Sequence, residues 1–146
     1  MLAALSEFRR VTRPGGLVAS KEIDLATLQY FPLDGWLFPR LFDAVDWPHL
    51  VWARGQRRWL ERAGLVDVWQ RTTLIERWAP LTPTERRFLV EAVGGFSSLG
   101  ARQEGVSARD RETWLALYDN PGALLDRPDL YYCEGQVVAV GRVPDA

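Results

Sequence analysis

The chain is poor in several residue types that usually carry chemistry. Cys133 is the only cysteine among 146 residues. No intrachain disulfide can close, and no cysteine-based zinc site can form. This usage fits a reducing compartment. His49 is the only histidine and Lys21 the only lysine; the other seventeen of the 18 basic residues are arginine. A GC-rich coding sequence accounts for that bias more simply than a need for bidentate pairing at every site. No metal-ligand spacing occurs anywhere, so no metal is expected. No apolar run approaches the ~20 residues of a membrane helix. The opening residues MLAALSEFRR have too short an apolar run for a signal peptide, and their charges follow it. The expected localisation is cytoplasmic, without membrane contact. The formal net charge is −1; with no basic tract and no acidic tail, a nucleic-acid partner is not expected.

Hydrophobic residues make up 47% and charged residues 25%, the balance of a globular domain. No linker divides the chain, so residues 1–146 read as one domain. Leu2, Leu5, Phe8 and Val11 recur at helical spacing up to Thr12. Pro14-Gly15-Gly16 ends that helix. Residues 17–23, LVASKEI, read as a strand. Residues 25–53 are dense in aromatics and broken by Pro32, Pro39 and Pro48, so short helices and turns are expected there. A short helix over 54–63 with Trp59, Leu60 and Ala63 inward stops at Gly64. Residues 66–78 read as a strand. Thr82-Pro83-Thr84-Glu85 is a capping box. It opens a helix that Gly94-Gly95 should end. Ser107 starts another helix, carrying Trp114, Leu115 and Tyr118, and Val137–Val143 reads as a closing buried strand.

Residues 5–24, LSEFRRVTRPGGLVASKEID, resemble a helix, turn and strand of class I S-adenosylmethionine-dependent methyltransferases. There a helix ends in E-x-x-R-V-L-[KR]-P-G-G. Glu7, Arg10, Val11, Arg13, Pro14, Gly15 and Gly16 match, and Thr12 departs from leucine. Residues 59–65, WLERAGL, resemble the family's L-x-x-A-G-F element before the sixth strand. Residues 131–135, YYCEG, followed by 137–143, resemble the end of its seventh strand. The resemblance spans nearly the whole chain and implies an α/β fold. It corresponds to the C-terminal part of a Rossmann-like methyltransferase sheet, mixed, with an antiparallel last strand and a helical insertion over 81–126. The family's sheet ends in the order five, seven, six, so the last strand here should lie between the other two.

The same resemblance implies that the cofactor-binding half is not represented. The family holds S-adenosylmethionine with a glycine-rich loop after its first strand, and no G-x-G-x-[GA] pattern occurs here. Gly94-Gly95 follows a helix and cannot substitute. The cofactor is therefore expected only where that half is supplied. Strand 17–23 would lack its neighbour, and Val18 would have little cover on one face. This predicts a homodimer or a separate cofactor-binding chain at that edge.

The family's C-terminal half shapes the acceptor pocket, and the expected partner is a small-molecule acceptor. Glu22 and Asp24 end the first strand, where ligands of open α/β sheets bind. Either is a candidate to orient or deprotonate an acceptor hydroxyl or amine; a strand-end carboxylate or helix cap is the simpler role. His49 is the third candidate base. Tyr30, Phe31, Trp36, Trp47 and Trp52 are candidates to line an apolar pocket, although ordinary core accounts for part of the set. Arg54, at a helix start, could meet an anionic group or simply be solvated. The expected function is the acceptor-side portion of a small-molecule methyltransferase, inactive without the other half. The alternative is a non-catalytic ligand- or protein-binding module derived from such an enzyme.

Overall fold

The computed structural model describes residues 2–45 and 52–145. The expected sites Trp47 and His49 lie outside the described residues. Helix α1 spans Leu2–Val11 and strand β1 Leu17–Phe31. Helix α2 covers Leu37–Ala44; a 3-10 turn, Ala53–Gly55, leads into α3, Gln56–Arg62. Strand β2 is Val66–Trp78. Helices α4, α5 and α6 follow at Pro83–Arg102, Ala108–Asp119 and Gly122–Leu125, and strand β3 is Tyr131–Arg142. The fold is α/β, with one antiparallel three-stranded sheet in the order β1-β3-β2. The expected mixed sheet is antiparallel throughout the described residues, because the last strand separates the other two.

The chain divides into two units. The first comprises 1–27, 48–75 and 134–146; the second comprises 28–47 and 76–133. In the first unit, Leu5, Val18, Leu60, Ala63, Leu65, Ala139 and Val143 form the core, with Leu2, Trp59 and Val68 packed against it. Each fully buried leucine of this kind contributes about 1.5–3 kcal/mol. Only the N-terminal part of the expected α1 stripe is used: Phe8 is 50% and Val11 62% exposed. Val18, expected to be poorly covered, is 5% exposed and belongs to the core. Gly15 takes a φ of +73° in the turn after α1. Its N–H donates to Val143 O at 3.0 Å, and Val143 N–H donates to Gly16 O at 2.8 Å. The proline-glycine turn thus ties β1 to the end of β3.

In the second unit, α4 runs through Gly94-Gly95 instead of stopping there. Leu89, Val93, Ser97 and Gly100 form one buried stripe along it, and continuous packing outweighs the ~1 kcal/mol helix penalty of each glycine. Gly100 faces the Trp114 ring of α5: a Cβ there would run into the ring at Cγ. Trp114 is buried as expected, but Leu115 and Tyr118 are exposed. The capping box forms: Thr82 Oγ1 accepts from Glu85 N–H at 3.3 Å, and Glu85 Oε2 accepts from Thr82 N–H at 2.9 Å.

β1 extends eight residues beyond the expected strand end at Ile23, into the stretch expected to be irregular. The reason is a bulge. Asp24 Oδ1 accepts from Ala26 N–H at 3.3 Å, and Thr27 Oγ1 donates to Asp24 O at 2.7 Å. Gly135 N–H in turn donates to Thr27 Oγ1 at 2.6 Å. The in-out alternation carries through the fold-back: Val18, Asp24, Leu28 and Tyr30, all an even number of residues apart, are the buried positions of β1. β3 likewise begins earlier than expected, at Tyr131.

Candidate functional site

The bulge places a charged pair inside the first unit. Asp24 is 4% exposed. Its Oδ2 accepts from Arg54 Nε at 2.7 Å. Arg54 comes from the 3-10 turn that opens α3, and Gln70 of β2 holds that turn. Gln70 Nε2 donates to Arg54 O at 3.1 Å, and Gln70 Oε1 accepts from Arg57 N–H at 2.8 Å. The hydrogen bond that Arg54 donates to Asp24 raises the Arg54 pKa, so the guanidinium stays charged. Its side chain remains 59% exposed, and its terminal nitrogens meet no acceptor among the described residues. The arrangement is a cation anchored from behind with its outer donors open, suited to a carboxylate or phosphate.

Two of the residues expected at the site, Asp24 and Arg54, are therefore brought together, but as partners of each other. Glu22 is exposed on β1. Trp52 stands beside Trp59, ring centroids 6.5 Å apart, with the Arg62 guanidinium 4.9 Å above the Trp59 ring. In the second unit, Tyr30 is 3% exposed, stacked on Phe38 at 5.2 Å and tilted against Tyr132 at 4.8 Å. Tyr30 and Phe31 line one cleft of about 290 Å³ with Leu28, Leu33, Asp34 and Phe38. Trp36, 71% exposed, is not part of its lining.

Several buried polar residues escaped the sequence reading. Gln56 is 1% exposed, and neither amide atom has a hydrogen-bond partner among the described residues; buried amides without partners are rare. Glu134, 4% exposed, receives a short hydrogen bond from Gln136 Nε2. Thr27 organises the bulge. The available signal was a polar residue inside an otherwise apolar strand or helix face, which is weak by itself.

Among the described residues no group of three or more His, Cys, Asp or Glu side chains could hold a metal ion. No helix among them is long and apolar enough to cross a membrane. Nothing in the described residues supplies the family's glycine-rich cofactor loop: Gly35, in the turn from β1 into α2, stands alone, and the sequence has no G-x-G-x-[GA] pattern. Gly15-Gly16 and Gly64 precede strands, and Gly94-Gly95 is internal to α4. No protein-family model matches the chain, and no curated protein matches it in sequence.

Proposed function

We propose that the chain is the acceptor-side portion of a small-molecule methyltransferase, working with a cofactor-binding half supplied by a separate chain. The observation that carries this reading is the strand order. A last strand inserted antiparallel between the first and second coincides with the five-seven-six ending of the family sheet. It stands together with the R-V-x-R-P-G-G turn that enters β1. In this reading Arg54, held by Asp24, binds an anionic group of the acceptor. With its Oδ2 bound to Arg54, Asp24 serves as a positioning residue. Glu22 and His49 stay as candidate bases.

Calorimetric titration of the purified chain with S-adenosylhomocysteine tests the proposal. The expected result is no binding by the chain alone and micromolar binding once a cofactor-binding partner co-purifies with it. A folded chain whose natural partner complex also ignores the ligand overturns the assignment. The second reading, a non-catalytic binding module, is favoured by the Asp24–Arg54 pair itself, since that carboxylate is engaged and no other described carboxylate replaces it in the pair.

A further inference from the structure

We propose that the uncovered face of the sheet in the first unit is a docking surface for one amphipathic, acid-flanked helix of a partner protein. This holds whether or not the chain takes part in methyl transfer. Three observations lead there.

β3 is apolar on both faces: Val137 and Ala139 are fully buried in the core direction, whereas Val138 and Val140, pointing the other way, are only half-buried. A strand with apolar residues on both faces is the pattern of a sheet covered on both sides. Among the described residues of the first unit only one side has cover: Leu2 and Leu5 of α1 and Leu60 and Ala63 of α3 join the same core as Val18 and Ala139. On the bare side Leu17 is 68% and Trp69 50% exposed. Apolar area of this kind marks an interaction site.

The charges on this face are unbalanced. Arg142 binds Asp67 at 2.6 Å and Asp145 at 2.9 Å, which occupies the acids beside it. Val68 and Ala139 pack on the core side, so Trp69 and Arg71 on β2 and Val138 and Val140 on β3, each an odd number of residues away, turn to the other face. Lys21, an even number of residues from Leu17, lies there too. Lys21 and Arg71 are exposed, and neither has an acid partner among the described residues. A second copy, packed face to face, would bring two such cations from each chain into one desolvated interface. An acidic partner neutralises them.

The dimensions fit one helix. Three strands span about 10 Å between the outer two, and residues 17–23 extend about 20 Å. A helix is about 10 Å across, and 14 residues of it are about 21 Å long.

The test uses two synthetic helices of about 14 residues, fluorescently labelled and side-chain-stapled. Both carry the same leucine stripe; one is flanked by glutamate and the other by lysine. Fluorescence anisotropy against the purified chain should show saturable binding of the glutamate peptide and about tenfold weaker binding of the lysine peptide. Lys21→Glu should narrow that preference. Leu17→Asp and Trp69→Ser, both at exposed positions, should abolish binding while the circular dichroism spectrum is unchanged. The proposal is overturned if neither peptide binds, if both bind equally, or if binding survives Leu17→Asp. It is also overturned if the chain sediments as a dimer that Leu17→Asp dissociates, which would make a second copy the occupant.

Discussion

Asp24 and Arg54 define the residue scale, because each makes sense only with the other. A carboxylate this buried is costly unless its charge is met by donors. Replacing Arg54 by methionine keeps the stem and removes those donors, so Arg54→Met should destabilise the chain by about 2 kcal/mol. Asp24→Asn should also destabilise the chain, since its single amide oxygen can accept only one of the two bonds that Asp24 Oδ1 and Oδ2 take from Ala26 and Arg54, and its NH2 then faces the other donor. Urea unfolding of the two variants and their double mutant checks this, and additive losses would count against a coupled pair. A second pair carries a pH signature. Asp110 is 6% exposed and accepts from Arg40 Nε and Nη2, both at 2.7 Å. Those hydrogen bonds hold its pKa below the ordinary carboxylate value. A depressed folded pKa adds stability that is fully present above the unfolded value of about 3.9 and is lost as pH falls through the folded one. Thermal melts from pH 6 to pH 2.5 should therefore show Asp110→Asn flattening the acid side of the stability profile. A profile parallel to that of the parent chain would refute the linkage.

At the scale of elements, the local signals were legible where chemistry is local. The capping box at Thr82, the Ser107 start of α5, the Gly64 stop with φ of +81° and strand β2 all follow from neighbours in sequence. Thr82→Ala should accordingly cost about 1 kcal/mol, read from urea midpoints. The misses occurred where distant residues decide. Nothing beside Asp24 announces that Thr27 will meet Gly135, 108 positions away, so the continuation of β1 past the bulge was hidden. Gly94-Gly95 resembled a stop because only the buried Leu89-Val93-Ser97-Gly100 stripe reveals why the helix continues. The site was legible to the same extent: Asp24 and Arg54 were identifiable by position and type, but their mutual pairing was not. Gly100 gives the sharpest test of the tertiary argument. Gly100→Ala would raise helix propensity by about 1 kcal/mol in isolation, yet its methyl meets the Trp114 ring. The net effect should be destabilising, by about 1–3 kcal/mol from overpacking. A neutral or stabilised variant would mean that the α4–α5 packing is looser than the structure has it.

For the whole molecule, the central question is what completes the sheet. β1 has β3 on one side and no strand on the other among the described residues. An edge of this length, with Leu17 and Phe31 exposed along it, is the kind that proteins normally pair or cover. Lys21 and Glu22 supply the charge that discourages indiscriminate pairing, which favours a specific neighbour over aggregation. A homodimer joined through β1 and a separate chain docked there make different predictions for concentration. The homodimer should appear in light scattering at micromolar chain and dissociate on dilution. A separate partner leaves the isolated chain monomeric, with the outward-facing amides of β1 exchanging far faster than those of β3. Adding that partner should slow the β1 amides selectively and leave β2, at the opposite edge, unchanged. Protection of β1 in a chain that light scattering shows to be monomeric would mean that the edge is already covered from within, and the need for a second chain would fall away.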